Sequence, residues 1–483
     1  MALQAAFLAP DVQPCRAVLA RHRTCLEGAS SSAAALGAGA GAAASSLAAG
    51  GTFAGLSAVL GAAALRRGER VTVRRRPVRQ AVALRAAALL EYPGAGGVDD
   101  TFLEALLAAQ TEHMGNADQP VLSARDAKRL VEDVTAVLRA EATMQQVEFD
   151  ELLVVGDIHG QFKTLLQIFD LAGMPSDTNP YLFNGDFVDR GKHSLEVILT
   201  MFALKLRYPS AVCMNRGNHE AVDMNLRYGF AAEVRDRYGE EARDLFDTFS
   251  EAFRWLPLCH VVNREVLVVH GGLPGPDPRL AFSDAGGGGT GYAAKQVQED
   301  IAGRTAGRKG GGAKLSLLGY NPDNVSLPPR TTELTLAELA ALPRGQEPAT
   351  DLRALEGLPE DEAETQRLVV DLLWADPRGK TGFGPSFRVR KGCYIFGPDV
   401  TEKFLERNGL RLLIRSHEVK VKGYEWTHPQ LITVFSASNY LGHARNKGAV
   451  VRLVRDPSTR QLEPTFIQYE DADTLAAAVP VLA

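Results

Sequence analysis

Six residues that follow short apolar runs carry side chains suited to divalent transition metals: Asp157, His159, Asp186, Asn218, His270 and His417. Carboxylate oxygens and imidazole nitrogens are ordinary ligands of such ions, and Asp186 is placed to bridge two of them. Two cations about 3.5–4 Å apart would lower the pKa of a shared water and clamp a phosphoryl group in line with it. That reaction also needs a proton for the leaving alkoxide and positive charge on the phosphate oxygens. His219, Arg190 and Arg390 are candidates, with Asp189 available to orient His219.

The elements that would hold these groups can be read from periodicity. Thr101–Thr111 and Ala124–Glu141 have amphipathic helical spacing, the second opened by Ser123-x-x-Asp126 as a cap. From Leu152 the pattern becomes apolar strand, polar glycine-bearing loop, amphipathic helix. Leu152–Val155 leads into Gly156-Asp-Ile-His-Gly160 and a helix over Phe162–Ala172. Tyr181–Asn184 leads into Gly185-Asp-Phe-Val-Asp-Arg-Gly191 and a helix over Ser194–Arg207. Val212–Asn215 ends at Arg216-Gly-Asn-His-Glu220, Val266–Val269 at His270-Gly-Gly272, Leu412–Ile414 at Arg415-Ser-His417 and Ile432–Phe435 at Ser436–Tyr440. In an α/β sheet such strand ends converge on one rim, where ligands collect.

Each residue alone has an ordinary structural explanation. The ensemble does not: three glycine-flanked motifs each follow an apolar strand, and two later histidines also stand at strand ends. This set, together with Arg415-Ser-His-Glu418, resembles the metal-dependent phosphoprotein phosphatase family of serine/threonine phosphatases. The likeness extends over roughly residues 92–470. Thr178-Asn-Pro-Tyr-Leu-Phe-Asn184, Phe253-Arg-Trp-Leu-Pro257 and Phe396-Gly-Pro-Asp399 look most like its type 5 branch. The resemblance implies an α/β fold, a metallophosphoesterase-type four-layer sandwich of two mixed β-sheets flanked by helices. It assigns Asp157, His159 and Asp186 to one metal, and Asp186, Asn218, His270 and His417 to the other, the ions being manganese, iron or zinc. It makes His219 the general acid with Asp189 behind it, gives Arg190, Asn218 and Arg390 to the phosphate, sets Tyr440 over the site, and implies no covalent intermediate. Arg216 would be structural.

Some positions depart from the family pattern. Its Ser-Ala-Pro-Asn-Tyr-Cys loop reads Ser436-Ala-Ser-Asn-Tyr-Leu441 here, and its Arg-Gly pair reads Arg390-Lys391. No 34-residue period precedes Tyr92 and no Asp-x-Asp-x-Asp-Gly calcium loop is present, so neither helical-repeat nor EF-hand regulation is expected.

Composition bounds the rest. The 483 residues are 45% hydrophobic and 23% charged, as in a globular chain with ample core. The five cysteines form no CxxC pair, which suits a reducing compartment. The net charge of −5 is uneven: residues 1–91 hold eleven arginines against four acids, leaving an acidic body for which nucleic-acid binding is not expected. Gly28–Leu65 has no charged residue and is mostly Ala, Gly, Ser and Leu. Residues 1–91 therefore read as a targeting or low-complexity region, with Leu47–Leu65 about long enough for a membrane span. An organelle, a plastid on the Ala/Ser/Arg composition, is the expected destination, with cytoplasmic or membrane-associated as the alternatives. Residues 92–475 then form one catalytic domain carrying a Gly/Pro-rich insert at about 284–330 and an acidic one at about 351–366.

The expected function is hydrolysis of phosphoserine and phosphothreonine in phosphoprotein substrates, by in-line attack of a hydroxide held between two divalent metals. Two alternatives use the same residues. One is a hydrolase of small phosphoesters or dinucleoside polyphosphates, and the other is a pseudophosphatase scaffold that binds phosphoproteins without turnover.

Overall fold

Strands buried on both faces read as unbroken apolar runs, and five of the strands show why. In β2 (Glu151–Val155), Leu152 and Val154 face one core while Leu153 and Val155 face another. The same split separates Leu182 from Tyr181 and Phe183 in β3 (Tyr181–Phe183), and Cys213 from Val212 and Met214 in β4 (Val212–Met214). It recurs in β6 (Val266–Val269) and β10 (Leu412–Arg415). The two-residue period of a strand sends alternate side chains to opposite faces, so each of these strands must lie in the middle of a layered body.

The computed structural model describes residues 89–114, 119–275, 334–349, 352–355, 358–386 and 393–471. The basic head as far as residue 88, the stretch 47–65, the insert at 284–330 and Arg390 lie outside the described residues. Among the described residues, no helix is long and apolar enough to cross a membrane.

Two large sheets are present. One has the order β14-β13-β2-β3-β4, where β13 is Gly448–Arg455 and β14 is Leu462–Tyr469; β2, β3 and β4 run parallel, and β13 is antiparallel to β2. The other has the order β1-β5-β6-β10-β12-β11, with β1 Met144–Val147, β5 Cys259–Val262, β11 Tyr424–His428 and β12 Leu431–Val434. In that sheet β6, β10 and β12 are parallel. The faces meet through Leu152, Val154 and Leu182 on one side and Val268, Ile414 and Ile432 on the other.

Helices cover the outer faces. Over the first sheet lie α1 (Asp100–His113), α2 (Ala124–Ala140), α3 (Phe162–Ala172), α4 (Ser194–Arg207), α6 (Phe230–Tyr238) and α7 (Ala242–Arg254). The second sheet is covered by α5 (Val222–Tyr228), α8 (Leu336–Ala341), α9 (Glu360–Trp374), α10 (Pro398–Arg407) and the small sheet β7-β9-β8 (Asp376–Pro377, Tyr394–Phe396, Phe383–Pro385). The expected four-layer sandwich is the observed one.

The local readings for the metal-bearing half hold to within a residue or two, and Ser123 caps α2 by accepting from the Asp126 N–H. The acidic segment at 351–366 differs from the expected insert. From Glu360 onward it is the first half of α9, with Ala363 and Gln366 buried. Glu360, Asp361 and Glu362 occupy the first turn, where the helix dipole favours negative charge.

Candidate metal centre

The parallel strands β2, β3 and β4 end beside β6 and β10, so Asp157, Asp186, Asn218, His270 and His417 leave five strands at one rim. Sharp turns are needed to aim short side chains back over strand ends. His159 (φ 48°), Asp186 (φ 55°) and His417 (φ 69°) adopt left-handed backbone that non-glycine residues rarely take. Gly217 supplies the closest approach: a Cβ there would lie 2.3 Å from the Asp186 nitrogen and 2.4 Å from its Oδ1. Only glycine lets the two loops meet.

The six sequence-assigned metal candidates are brought together, all buried or nearly so. His159 Nε2 lies 3.6 Å from Asp157 Oδ2 and 3.5 Å from Asp186 Oδ2. His270 Nε2 lies 3.3 Å from Asp186 Oδ1 and 3.0 Å from Asn218 Oδ1. One donor atom each from Asp186, His270 and His417 fall within 4.8 Å of one another, as do one each from His159, Asp186 and His219. Asp186 is common to both groups.

Hydrogen bonds orient the candidate ligands. His159 Nδ1 donates to the Val188 carbonyl at 3.1 Å and His270 Nδ1 to the Asn184 carbonyl at 2.7 Å, which turns each Nε2 toward the carboxylates. Asp157 Oδ1 accepts from the His417 N–H, whereas its buried Oδ2 has no hydrogen-bond partner among the described residues. Burial, and then Asp186, push the Asp157 carboxyl up to about 7, while burial holds His159 down to about 4. For His270, burial opposes protonation but Asp186 outweighs it, raising the ring to about 9. Two buried carboxylates with one oxygen unpartnered, facing imidazole Nε2 atoms that a cation would deprotonate, fit divalent cations by donor chemistry.

Beside this cluster sits a histidine held by a carboxylate. His219 Nδ1 donates to Asp189 Oδ2 at 2.7 Å, and its ring stands edge-on to His159 with centroids 4.7 Å apart. Asp189 is fully buried and also accepts from Asn225 Nδ2 and the Phe230 N–H. Burial works against charge on His219, but Asp186 and the bond to Asp189 prevail and raise its pKa. Arg190 lies over the Tyr228 ring at 3.7 Å, and its N–H donates to the Tyr228 carbonyl. Tyr440 is half-buried, its ring 5.1 Å from that of His159. Arg390 alone of the candidates lies outside the described residues.

Several supporting residues lie in or beside the sequence motifs, but their bracing role shows only in the packed structure. Glu220 accepts from the N–H groups of Asp186, Phe187 and Gly217, each at 2.8 Å, and so ties two ligand loops together. Asn184 Nδ2 spans the two sheets to the Val269 carbonyl and Ser416 Oγ. Buried Arg415 reaches the Gly271 carbonyl, Ala375 carbonyl and Asp376. Buried Arg216 donates to the Glu220 and Gln346 carbonyls and so supports the loop that carries Asn218 and His219. Glu220→Ala is expected to strand three buried donors and lower unfolding free energy by roughly 3 kcal/mol or more, measured by denaturant titration. A change under about 1 kcal/mol would remove Glu220 from this role.

Two packed mixed sheets with a carboxylate–imidazole rim define the architecture as a metallophosphoesterase fold. Residues 151–421 match the family described as calcineurin-like phosphoesterase, and the chain belongs to that family. It is 34% identical over 388 residues to serine/threonine-protein phosphatase with EF-hands 1 of Rattus norvegicus, covering 80% of this chain and 52% of that protein. It is 40% identical over 340 residues to serine/threonine-protein phosphatase 5 of Solanum lycopersicum, covering 69% of this chain and 48% of that one. A solved protein serine/threonine phosphatase from Saccharomyces cerevisiae is 29% identical with a TM-score of 0.54, covering 75% of this chain and 95% of that chain. The chain thus spans about half the length of the curated relatives named here.

Proposed function

We propose that the chain hydrolyses phosphoserine and phosphothreonine side chains of proteins. The observation that carries this is the single carboxylate of Asp186 shared by two donor groups, one of which includes His219 with its Nδ1–H held by Asp189. The serine/threonine phosphatase names of its relatives support the same reading.

Asp157, His159 and Asp186 would hold one cation, and Asp186, Asn218, His270 and His417 the other. When bound, two divalent ions of manganese, iron or zinc would supply a water of lowered pKa and positive charge opposite the phosphoryl oxygens. The chain's own residues do the rest. Arg190, braced on Tyr228, binds a phosphoryl oxygen, and Arg390 is assigned a second such contact from its sequence context. Tyr440 covers the reacting group and limits bulk water. Water oxygen bonds to phosphorus as the phosphorus–oxygen bond to the serine or threonine breaks. His219 donates its Nε2 proton to that departing oxygen. The bond from its Nδ1–H to Asp189 stabilises the charged ring that carries that proton.

The test is an assay of the full chain on a phosphoserine peptide and on a dinucleoside polyphosphate, with and without chelator. Chelator-sensitive turnover favouring the phosphopeptide is expected. Preference for the dinucleotide would replace this reading with the small-phosphoester one, and phosphopeptide binding without turnover of either would leave a scaffold.

A further inference from the structure

We infer that Lys192 forms, beside Arg190, a subsite for a second anionic side chain of the substrate, adjacent to the phosphoresidue. The inference rests on the phosphatase reading above and narrows its substrate class.

The backbone after Arg190 is pinned against the metal-centre loop. The Gly191 N–H donates to the His159 carbonyl at 2.9 Å, and a Cβ on Gly191 would lie 2.3 Å from that oxygen. Lys192 is thereby delivered to the mouth of a cleft of about 300 Å3 that begins at His159 and is lined by Arg190, Lys192, Gln161, Tyr440 and Leu441. Lys192 is exposed, and among the described residues neither it nor Arg190 has a carboxylate within ion-pair distance. Lys128, Lys420 and Lys447 are paired with Asp244, Glu425 and Glu470, whereas Lys380, Lys403 and Lys422 share with Lys192 the absence of an ion pair among the described residues; what sets Lys192 apart is its place beside Arg190 in the cleft. On an acidic body, two unneutralised cations in one cleft favour an anionic ligand.

One phosphate cannot use both equally. Arg190 is stacked on Tyr228 and fixed by its backbone bond, as befits a group that receives the scissile phosphate. Lys192 is then left for a neighbouring charge. The facing wall is apolar: Leu441 adopts a left-handed φ of 56°, which turns an exposed aliphatic chain outward beside Tyr440. Asn446 holds this turn, its Oδ1 accepting from the Tyr440 N–H at 2.9 Å. The cleft would therefore accept a peptide whose backbone and aliphatic atoms lie on Leu441 while an aspartate, glutamate or second phosphorylated residue meets Lys192.

The test compares phosphoserine peptides that differ only in one flanking position, occupied by alanine, aspartate or a second phosphoserine, with p-nitrophenyl phosphate as a reference lacking any second charge. An exposed ion pair is worth up to about fivefold in kcat/KM, so the wild-type chain should prefer the aspartate peptide over alanine by about two- to fivefold. The ratio should fall to about one in Lys192→Gln, drop below one in Lys192→Glu, and shrink with added salt. A larger ratio for the doubly phosphorylated peptide alone would assign the subsite to phosphate; equal ratios would assign it to negative charge in general. A wild-type ratio of one with both anions, or a preference retained in Lys192→Gln, overturns the subsite. Hydrolysis of p-nitrophenyl phosphate with none of any peptide would instead overturn the protein-phosphatase reading, and the subsite with it.

Discussion

Asp186→Asn is expected to leave the chain folded, to reduce bound metal below two ions per chain, and to lower turnover at least ~10³-fold. The substitution is isosteric, and an asparagine oxygen can still accept from the His219 N–H that Asp186 Oδ1 receives at 2.8 Å. The Asp186 N–H bond to Glu220 is a backbone bond and survives as well. What changes is the second oxygen. It becomes an amide donor, facing His159 Nε2 at a position now 3.5 Å away, and the only carboxylate common to both donor groups loses its charge. Each remaining set keeps its own histidines, so metal loss and inactivity would come from the missing bridge and not from a collapsed site. Elemental analysis beside a thermal melt separates these. A variant that melts like wild type and still carries two ions would sink the bridging assignment.

The candidate ligand residues were legible in the sequence because such chemistry would impose local spacing. A carboxylate or imidazole must follow a strand end, and the backbone must turn within one or two residues, which leaves glycine on either side. Gly156 to Gly160, Gly185 to Gly191 and Gly217 record that requirement directly. The residues that brace the site leave no such trace. Glu220 bonds to amides 33 and 34 residues earlier, and Asn184 to a hydroxyl 232 residues later. Such partners exist only once the sheets are packed. Tyr228 under Arg190 belongs with these, since nothing in a helix-forming Val222–Tyr228 stretch marks one ring as a platform.

The fold follows the same division. Strands buried on both faces were readable as short apolar runs, and α3 as an amphipathic repeat; α4 has the expected bounds but is buried on every side from Ser194 to Lys205. Composition misled at Glu360–Gln366, where four acids in seven residues resemble a solvated insert. Their position in the first turns of a helix, with Ala363 and Gln366 turned to the core, is a matter of periodicity that continues only into Leu368–Trp374. The −5 net charge likewise concealed the detail that matters locally. Asp157 and Asp186 put buried negative charge at the rim, while Arg190 and Lys192 line the cleft beside it.

His219→Ala is expected to lower kcat on a phosphoserine peptide by roughly 10²–10⁴-fold with metal content near wild type. The magnitude depends on the leaving group, which gives the assignment its sharpest check. A serine alkoxide is a strong base and cannot depart without a proton, whereas p-nitrophenolate is a weak base and departs nearly unassisted. Loss of an acid should therefore cost far less on p-nitrophenyl phosphate than on the peptide, while loss of a metal ligand or a misplaced phosphate would depress both alike. The pH profile follows with a definite sign. The pKa of His219 is raised because Asp186 and Asp189 outweigh the effect of burial. Wild-type kcat should accordingly be held below that pKa and decline as pH rises through it, and the alkaline decline should be missing from His219→Ala. Equal losses on both substrates, with the decline intact, would move His219 from the proton-transfer step to the metal centre, where its proximity to His159 and Asp186 already makes ligation the competing role.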